Sequence, residues 1–119
     1  MDRKTKGRLA EVEAMAWFIR DGYDVYVPLN DCGKYDLLVT KDGEVSRVSV
    51  KFCSAQAPSG SWSVEMRNVS RRNAGTVQVD KFNATMFDLI AVYIGPEDRV
   101  VVVPATQATP NGLTIKQGR

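Results

Sequence analysis

The chain has 119 residues and a mass of 13.2 kDa, the size of one domain, since two cores in that length would each be marginal. With 44% hydrophobic and 25% charged residues it has ordinary globular composition, which excludes a disordered chain. The 16 Lys and Arg against 14 Asp and Glu leave a net charge of +2, too small for a polybasic coat, so any nucleic-acid contact depends on where the charges sit.

No apolar run approaches the roughly 18 residues of a membrane helix, and the N-terminus lacks the apolar stretch of a signal peptide, so no membrane partner and a cytoplasmic location are expected. Histidine is absent and Cys32 and Cys53 lack CxxC spacing, which removes His-based metal sites, catalytic triads and imidazole bases. Hydrolytic chemistry would have to run on carboxylates, lysine and hard cations.

In chain order, residues 5 to 21 read as a helix, with Leu9, Val12, Ala16 and Ile19 at helical spacing and Gly22 as a left-handed cap. Projection at about 100° per residue places Glu11 between Met15 and Phe18 on the edge of the apolar stripe, and Glu13 near Arg20 on the polar side. Asp24 to Pro28 alternates like a short strand, and Leu29 to Lys34 carries loop residues. The clearest signal is a hairpin in which Asp42 and Gly43 form a two-residue turn between YDLLVTK and EVSRVSVKF. A regular turn sets Asp36 opposite Ser49, with Lys51 further along the same face and Leu37, Val39, Val48 and Val50 on the other; a bulge would shift that register.

Ser54 to Ser61 reads as a loop, Trp62 to Arg67 as a third hairpin-connected strand, and residues 68 to 76 as a polar, flexible stretch. Phe87 to Ile94 and Arg99 to Val103 are apolar strands joined by a turn at residues 95 to 98, and Leu113 to Lys116 is a candidate last strand. One helix followed by a meandering sheet gives an α+β or α/β fold with the helix on one face.

Glu11, Asp36, Ser49 and Lys51 form the one grouping that suggests a site. Phosphodiester hydrolysis without histidine needs carboxylates for Mg²⁺ and a lysine to orient water or stabilise the charged transition state. By spacing alone an Asp and a Lys on paired strands are more commonly a solvated ion pair. Lys4, Lys6 and Arg8, with Arg3, cluster at the N-terminus, and Arg67, Arg71, Arg72 and Lys81 mark a second basic segment; both suit backbone phosphates or a solvated surface. Trp17 lies beside the apolar stripe and suits core packing or a subunit interface.

The run Lys6-Gly7-Arg8-Leu9-Ala10-Glu11, then Gly22-Tyr23, Val27-Pro28, Tyr35-Asp36-Leu37-Leu38 and Val48-Ser49-Val50-Lys51, resembles the PD-(D/E)XK, or restriction-endonuclease-like, nucleases. The resemblance continues through Asp88 to Tyr93 and the Val-rich strand ending at Pro104, and so covers most of the chain. Two branches are similar: small archaeal-type Holliday junction resolvases and group I intron homing endonucleases of this fold. The resemblance implies a mixed central β-sheet flanked by helices, Glu11 and Asp36 as ligands to Mg²⁺ or Mn²⁺, and Lys51 as the catalytic lysine. It implies branched or double-stranded DNA as substrate and a homodimer or higher homo-oligomer.

Ser49 departs from the family pattern, which has Glu or Asp there and Gln in some intron-encoded members. A hydroxyl brings hydrogen bonding but no charge, so the site holds one metal or recruits a carboxylate from elsewhere, with Glu65 and Glu44 as candidates. The expectation is a metal-dependent DNA endonuclease; the alternatives are a DNA-binding module on a decayed nuclease fold and a plain interaction domain.

Overall fold

Asp2 opens the first element by turning its carboxylate onto the Thr5 N–H at 2.8 Å, which satisfies one of the helix's orphan donors and holds the Asp2 carboxyl below its ordinary value. In this computed structural model, which describes residues 1–30, 35–66, 86–110 and 112–116 and the backbone of 68–71 and 77–80, helix α1 runs Arg3–Arg20. It ends as expected at Gly22. With φ at +90°, Gly22 donates to Ile19 O at 3.1 Å while Tyr23 donates to Phe18 O at 2.9 Å, the paired bonds of a Schellman cap.

The buried face of α1 is not the stripe expected from spacing. Ala10, Ala14 and Phe18 are buried, whereas Val12 and Ile19 are 57% and 61% exposed. Two alanines one turn apart let the helix backbone settle close to the sheet, and Phe18 then fills the space beside them with edge-on contacts to Trp17 and Tyr23. Apolar residues lie on both the buried and the exposed side of the helix, so periodicity alone does not say which turns inward.

The strands β1 (Asp24–Tyr26), β2 (Leu37–Lys41), β3 (Glu44–Cys53), β7 (Leu89–Ile94) and β8 (Arg99–Pro104) form a five-stranded mixed sheet in the order β1-β2-β3-β7-β8. Only β3 and β7 run parallel; the other neighbours are antiparallel. The β2–β3 hairpin has the expected register from Lys41↔Glu44 to Leu37↔Val48. Its turn places both Asp42 (φ 52°) and Gly43 (φ 82°) in the left-handed region, the geometry that matches strand twist in a two-residue loop.

Strand β4 (Trp62–Val64) is not the third strand of a meander. It pairs with β9 (Leu113–Ile115) in a separate two-stranded sheet, and the edge of β3 goes to β7 instead. The reason is burial: β7 is apolar along its whole length, which suits a central strand covered on both faces. Trp62, Val64 and Met66 lie across it with Ile90, Val92 and Ile94. Residues 68 to 71, expected to be flexible, form β5 (Asn68–Arg71), which pairs with β6 (Val77–Asp80). Helix α1 covers one sheet face through Ala14, Phe18, Leu37, Val39, Val48 and Ala91, and the β4–β9 layer covers the other. Among the described residues no helix is long and apolar enough to cross a membrane.

Where β3 and β7 begin to pair, Arg47 and Asp88 hold each other reciprocally. Arg47 N–H and Nε donate to Asp88 Oδ2 at 2.8 and 3.2 Å, and Asp88 N–H donates to Arg47 O at 2.8 Å. Those bonds hold the Asp88 carboxyl below its ordinary 3.8. A depressed carboxylate pKa contributes stability above the unfolded value and loses it as pH falls through the folded one. Asp88→Asn is therefore expected to cost about 1 kcal/mol near neutral pH, modest because the pair is solvent-exposed. Thermal melts should show that cost shrinking as pH falls below the ordinary carboxylate range and through the folded value; a constant difference across pH would contradict the pairing.

Candidate active site

Asp36 stands immediately before β2, and there the ladder breaks. Its N–H donates to Val48 O at 2.8 Å, and its Oδ2 accepts the Val50 N–H at 2.7 Å. A continued ladder would offer Val50 a backbone carbonyl from the chain leading into β2; the carboxylate takes that place. The expected pairing of Asp36 directly opposite Ser49 is thus not formed as a ladder pair, which ends at Leu37↔Val48. Asp36 instead bonds to the residues on either side of Ser49. This locks the carboxylate to the backbone of the central hairpin, a more rigid mounting than a side chain standing free on a strand.

Strand alternation puts Ser49 and Lys51 on the face opposite Val48 and Val50. Ser49 is 7% exposed, the one polar residue buried in the core among the described residues. Lys51 is half-buried, and desolvation lowers its pKa, while the negative charges of Asp36 and Glu65 pull it partly back up. Glu65 follows β4 and is exposed on the outward-facing alternation of Trp62 to Met66, so the β4–β9 layer brings it within electrostatic reach of Lys51. Glu44 lies at the far end of the hairpin, lining a separate recess with Tyr23, Lys41, Asp42 and Ser46.

Glu11 comes from the sheet-facing edge of α1, between the buried Ala10 and Ala14, and is half-buried. With Asp36 it lines an open recess of about 290 Å³, completed by Val27, Pro28, Leu29, Asn30 and Tyr35. The fold therefore brings Glu11 and Asp36 to one recess and Lys51 into the field of Asp36. The 27–30 segment and Tyr35 are not among the site residues expected from sequence, where Val27-Pro28 and Tyr35 enter only through the family resemblance.

Among the described residues no three Asp, Glu or Cys side chains converge as a metal cage. Two carboxylates on one open recess are nevertheless the donor set that suits Mg²⁺, a hard cation that takes one or two carboxylates and keeps waters or phosphate oxygens at its other positions. The residues present fit one such ion.

Arg3, Lys4 and Arg8 are exposed along the start of α1. Lys6 is half-buried, its Nζ 5.6 Å from the centre of the Phe52 ring, so its charge is tethered to the sheet. Arg67, Arg72 and Lys81 lie outside the described residues, as does Cys32, and Arg71 is described only as backbone of β5. Cys53 is buried, its thiol donating to Ser63 O at 3.3 Å and its pKa raised by burial.

Among curated proteins none matches the chain. A solved structure similar to it is that of a bacterial homing endonuclease, I-Ssp6803I, with a TM-score of 0.74 and 24% identity over 88% of this chain and 70% of that one; the likeness is one of fold. The family model for PD-(D/E)XK endonucleases matches residues 1–116, from the start of α1 through β9. With helix, broken hairpin and parallel central pair in the order on which that family's motif is mounted, the chain belongs to the PD-(D/E)XK endonucleases.

Proposed function

We propose that the protein is a Mg²⁺- or Mn²⁺-dependent DNA endonuclease of the homing type, with Glu11 and Asp36 as metal ligands and Lys51 as the catalytic lysine. The observation that carries this reading is the shared recess of Glu11 and Asp36, with Asp36 anchored by the Val50 N–H. The bound cation supplies charge neutralisation at the phosphate and lowers the pKa of water. Asp36 fixes the position of the site relative to β3. Lys51 presents N–H donors and positive charge to the phosphate oxygens, and its depressed pKa makes it a readier proton donor than a solvated lysine. Ser49 contributes a hydrogen-bonding hydroxyl without charge.

The fold likeness to a homing endonuclease and the absence of an acid at position 49 favour this type over a junction resolvase. A duplex has two strands to cut, and one such site per chain calls for a homodimer or higher homo-oligomer. The test is cleavage of a labelled four-way junction and of a randomised linear-duplex pool, with Mg²⁺, Mn²⁺ or chelator. The expected result is cutting of a sequence subset of the linear pool, abolished by chelator. Junction cutting regardless of sequence would make it a resolvase, and binding without cleavage under either metal would leave a DNA-binding module.

Lys4, Lys6 and Arg8, together with Arg67, Arg71, Arg72 and Lys81, are proposed to meet backbone phosphates. Each phosphate contact adds about 0.9 to the log-log salt slope of binding to duplex DNA. Reversing the exposed Lys4 and Arg8 to Glu is expected to weaken binding and flatten the slope by roughly 2. An unchanged slope would place the start of α1 off the DNA.

A further inference from the structure

The large apolar side chains that remain exposed are not evenly spread. Tyr26, Val27 and Leu29, within four consecutive residues, are 52%, 60% and 99% exposed. The segment leaves the sheet at the end of β1, and Val27, Pro28 and Leu29 line the same recess as Glu11 and Asp36. Isolated exposed apolar residues need no explanation, but a run of them at the mouth of an acidic recess does. The other exposed large apolar residues among the described ones, Met1, Val12, Ile19, Val45 and Met86, do not line that recess.

A phosphate seated against Glu11 and Asp36 brings its flanking sugars and bases to this lip, because neighbouring nucleotides of a strand are separated by only about 3.4 Å of rise. An aliphatic side chain gains nothing from a phosphate oxygen. It gains from the face of an unstacked base, and apolar wedges that part a base step and bend the duplex are a known way of using such contact. Pro28, with its fixed φ, stiffens the backbone that carries Leu29.

We propose that Leu29 is a wedge that enters a base step beside the scissile phosphate, so that the substrate bound at this site is duplex DNA unstacked at that step. The proposal rests on the nuclease reading above for the identity of the substrate.

Its test is binding without cleavage. Wild-type protein, Leu29→Ser and Leu29→Met are titrated in Ca²⁺, by fluorescence anisotropy, with a mixed-sequence duplex of about 30 base pairs and with the same duplex carrying a one-base bulge. Because a bulge has already met part of the unstacking cost, wild type should prefer it by about tenfold. Leu29→Ser should bring the preference close to one, and Leu29→Met should retain it. An equal preference in Leu29→Ser, or none in wild type, would overturn the wedge. Sedimentation of the same samples adds a second arm: conversion of an oligomer to monomer by Leu29→Ser would make the lip an interface between copies and also overturn it. A protein that keeps the Leu29-dependent preference but never cuts would refute the catalytic reading alone, and one that cuts without that preference would refute the wedge alone.

Discussion

Asp36→Asn and Lys51→Met are each expected to lower cleavage by roughly a hundredfold to a thousandfold or more, the scale seen when one preorganised electrostatic group is removed from a reacting centre. The two variants should differ in stability, and that difference identifies what each residue does. Asp36 accepts the Val50 N–H at 2.7 Å, and the amide can still accept that bond through its oxygen, so Asp36→Asn should fold while losing the charge that a cation needs. Lys51 is different, because burial costs its ammonium more than Asp36 and Glu65 return. Its folded pKa lies below the ordinary 10.5, so the cost is fully present below the folded value and disappears as pH rises towards the unfolded one. Lys51→Met, with similar length and no charge, should therefore melt no lower than wild type while failing to cut. Loss of stability together with loss of cutting would make Lys51 a structural ion-pair partner rather than a catalytic group.

Ser49→Glu is expected to make stability respond to Mg²⁺ more strongly than in wild type. Position 49 is 7% exposed and lies between the two residues to which Asp36 bonds, so a second carboxylate there would crowd the first. Without metal the like charges and the burial both destabilise the folded chain. With Mg²⁺ the pair shares one cation, and a ligand at a hundred times its dissociation constant adds about 2.7 kcal/mol to the folded state. Thermal melts with and without Mg²⁺ should thus show a gain of several degrees in the variant beyond the gain in wild type. An equal gain would mean that a carboxylate at position 49 does not reach a cation held beside Asp36, and no gain in either protein would mean that no cation binds there.

The hairpin was the most legible part of the sequence because its turn chemistry is local. Asp42 and Gly43 alone dictate the register from Lys41↔Glu44 to Leu37↔Val48. Asp36 escaped that logic one residue later, since a carboxylate that replaces a ladder carbonyl leaves no mark in an alternation pattern. The inward face of α1 departs from the spacing pattern for a related reason. Leu9, Val12, Ala16 and Ile19 make a regular stripe, yet the small Ala10 and Ala14 determine how closely the helix approaches the sheet. Glu11 nevertheless reaches the recess, because it lies beside those alanines and between Met15 and Phe18, which pack in the same core.

The non-local pairings were the least legible. Nothing in residues 54 to 66 says that β4 will leave β3 and pair with a strand about fifty residues later, and beyond the family resemblance only the unbroken apolar run of β7 points to a central strand. Glu65 enters the field of Lys51 through that same rearrangement. The chemistry was visible in residue types, with no histidine and an Asp and a Lys on one hairpin, but their convergence with Glu11 required the fold.

The proposed active site requires that Glu11 and Asp36 together bind the divalent cation on which cleavage depends. The most direct measurement is calorimetric titration of Mn²⁺ into wild type, Glu11→Gln and Asp36→Asn, each alone and on a duplex whose phosphates are blocked against cleavage. One ion bound per chain is expected in wild type, weaker binding in Glu11→Gln and none at that site in Asp36→Asn. Equal Mn²⁺ binding by all three proteins would contradict it.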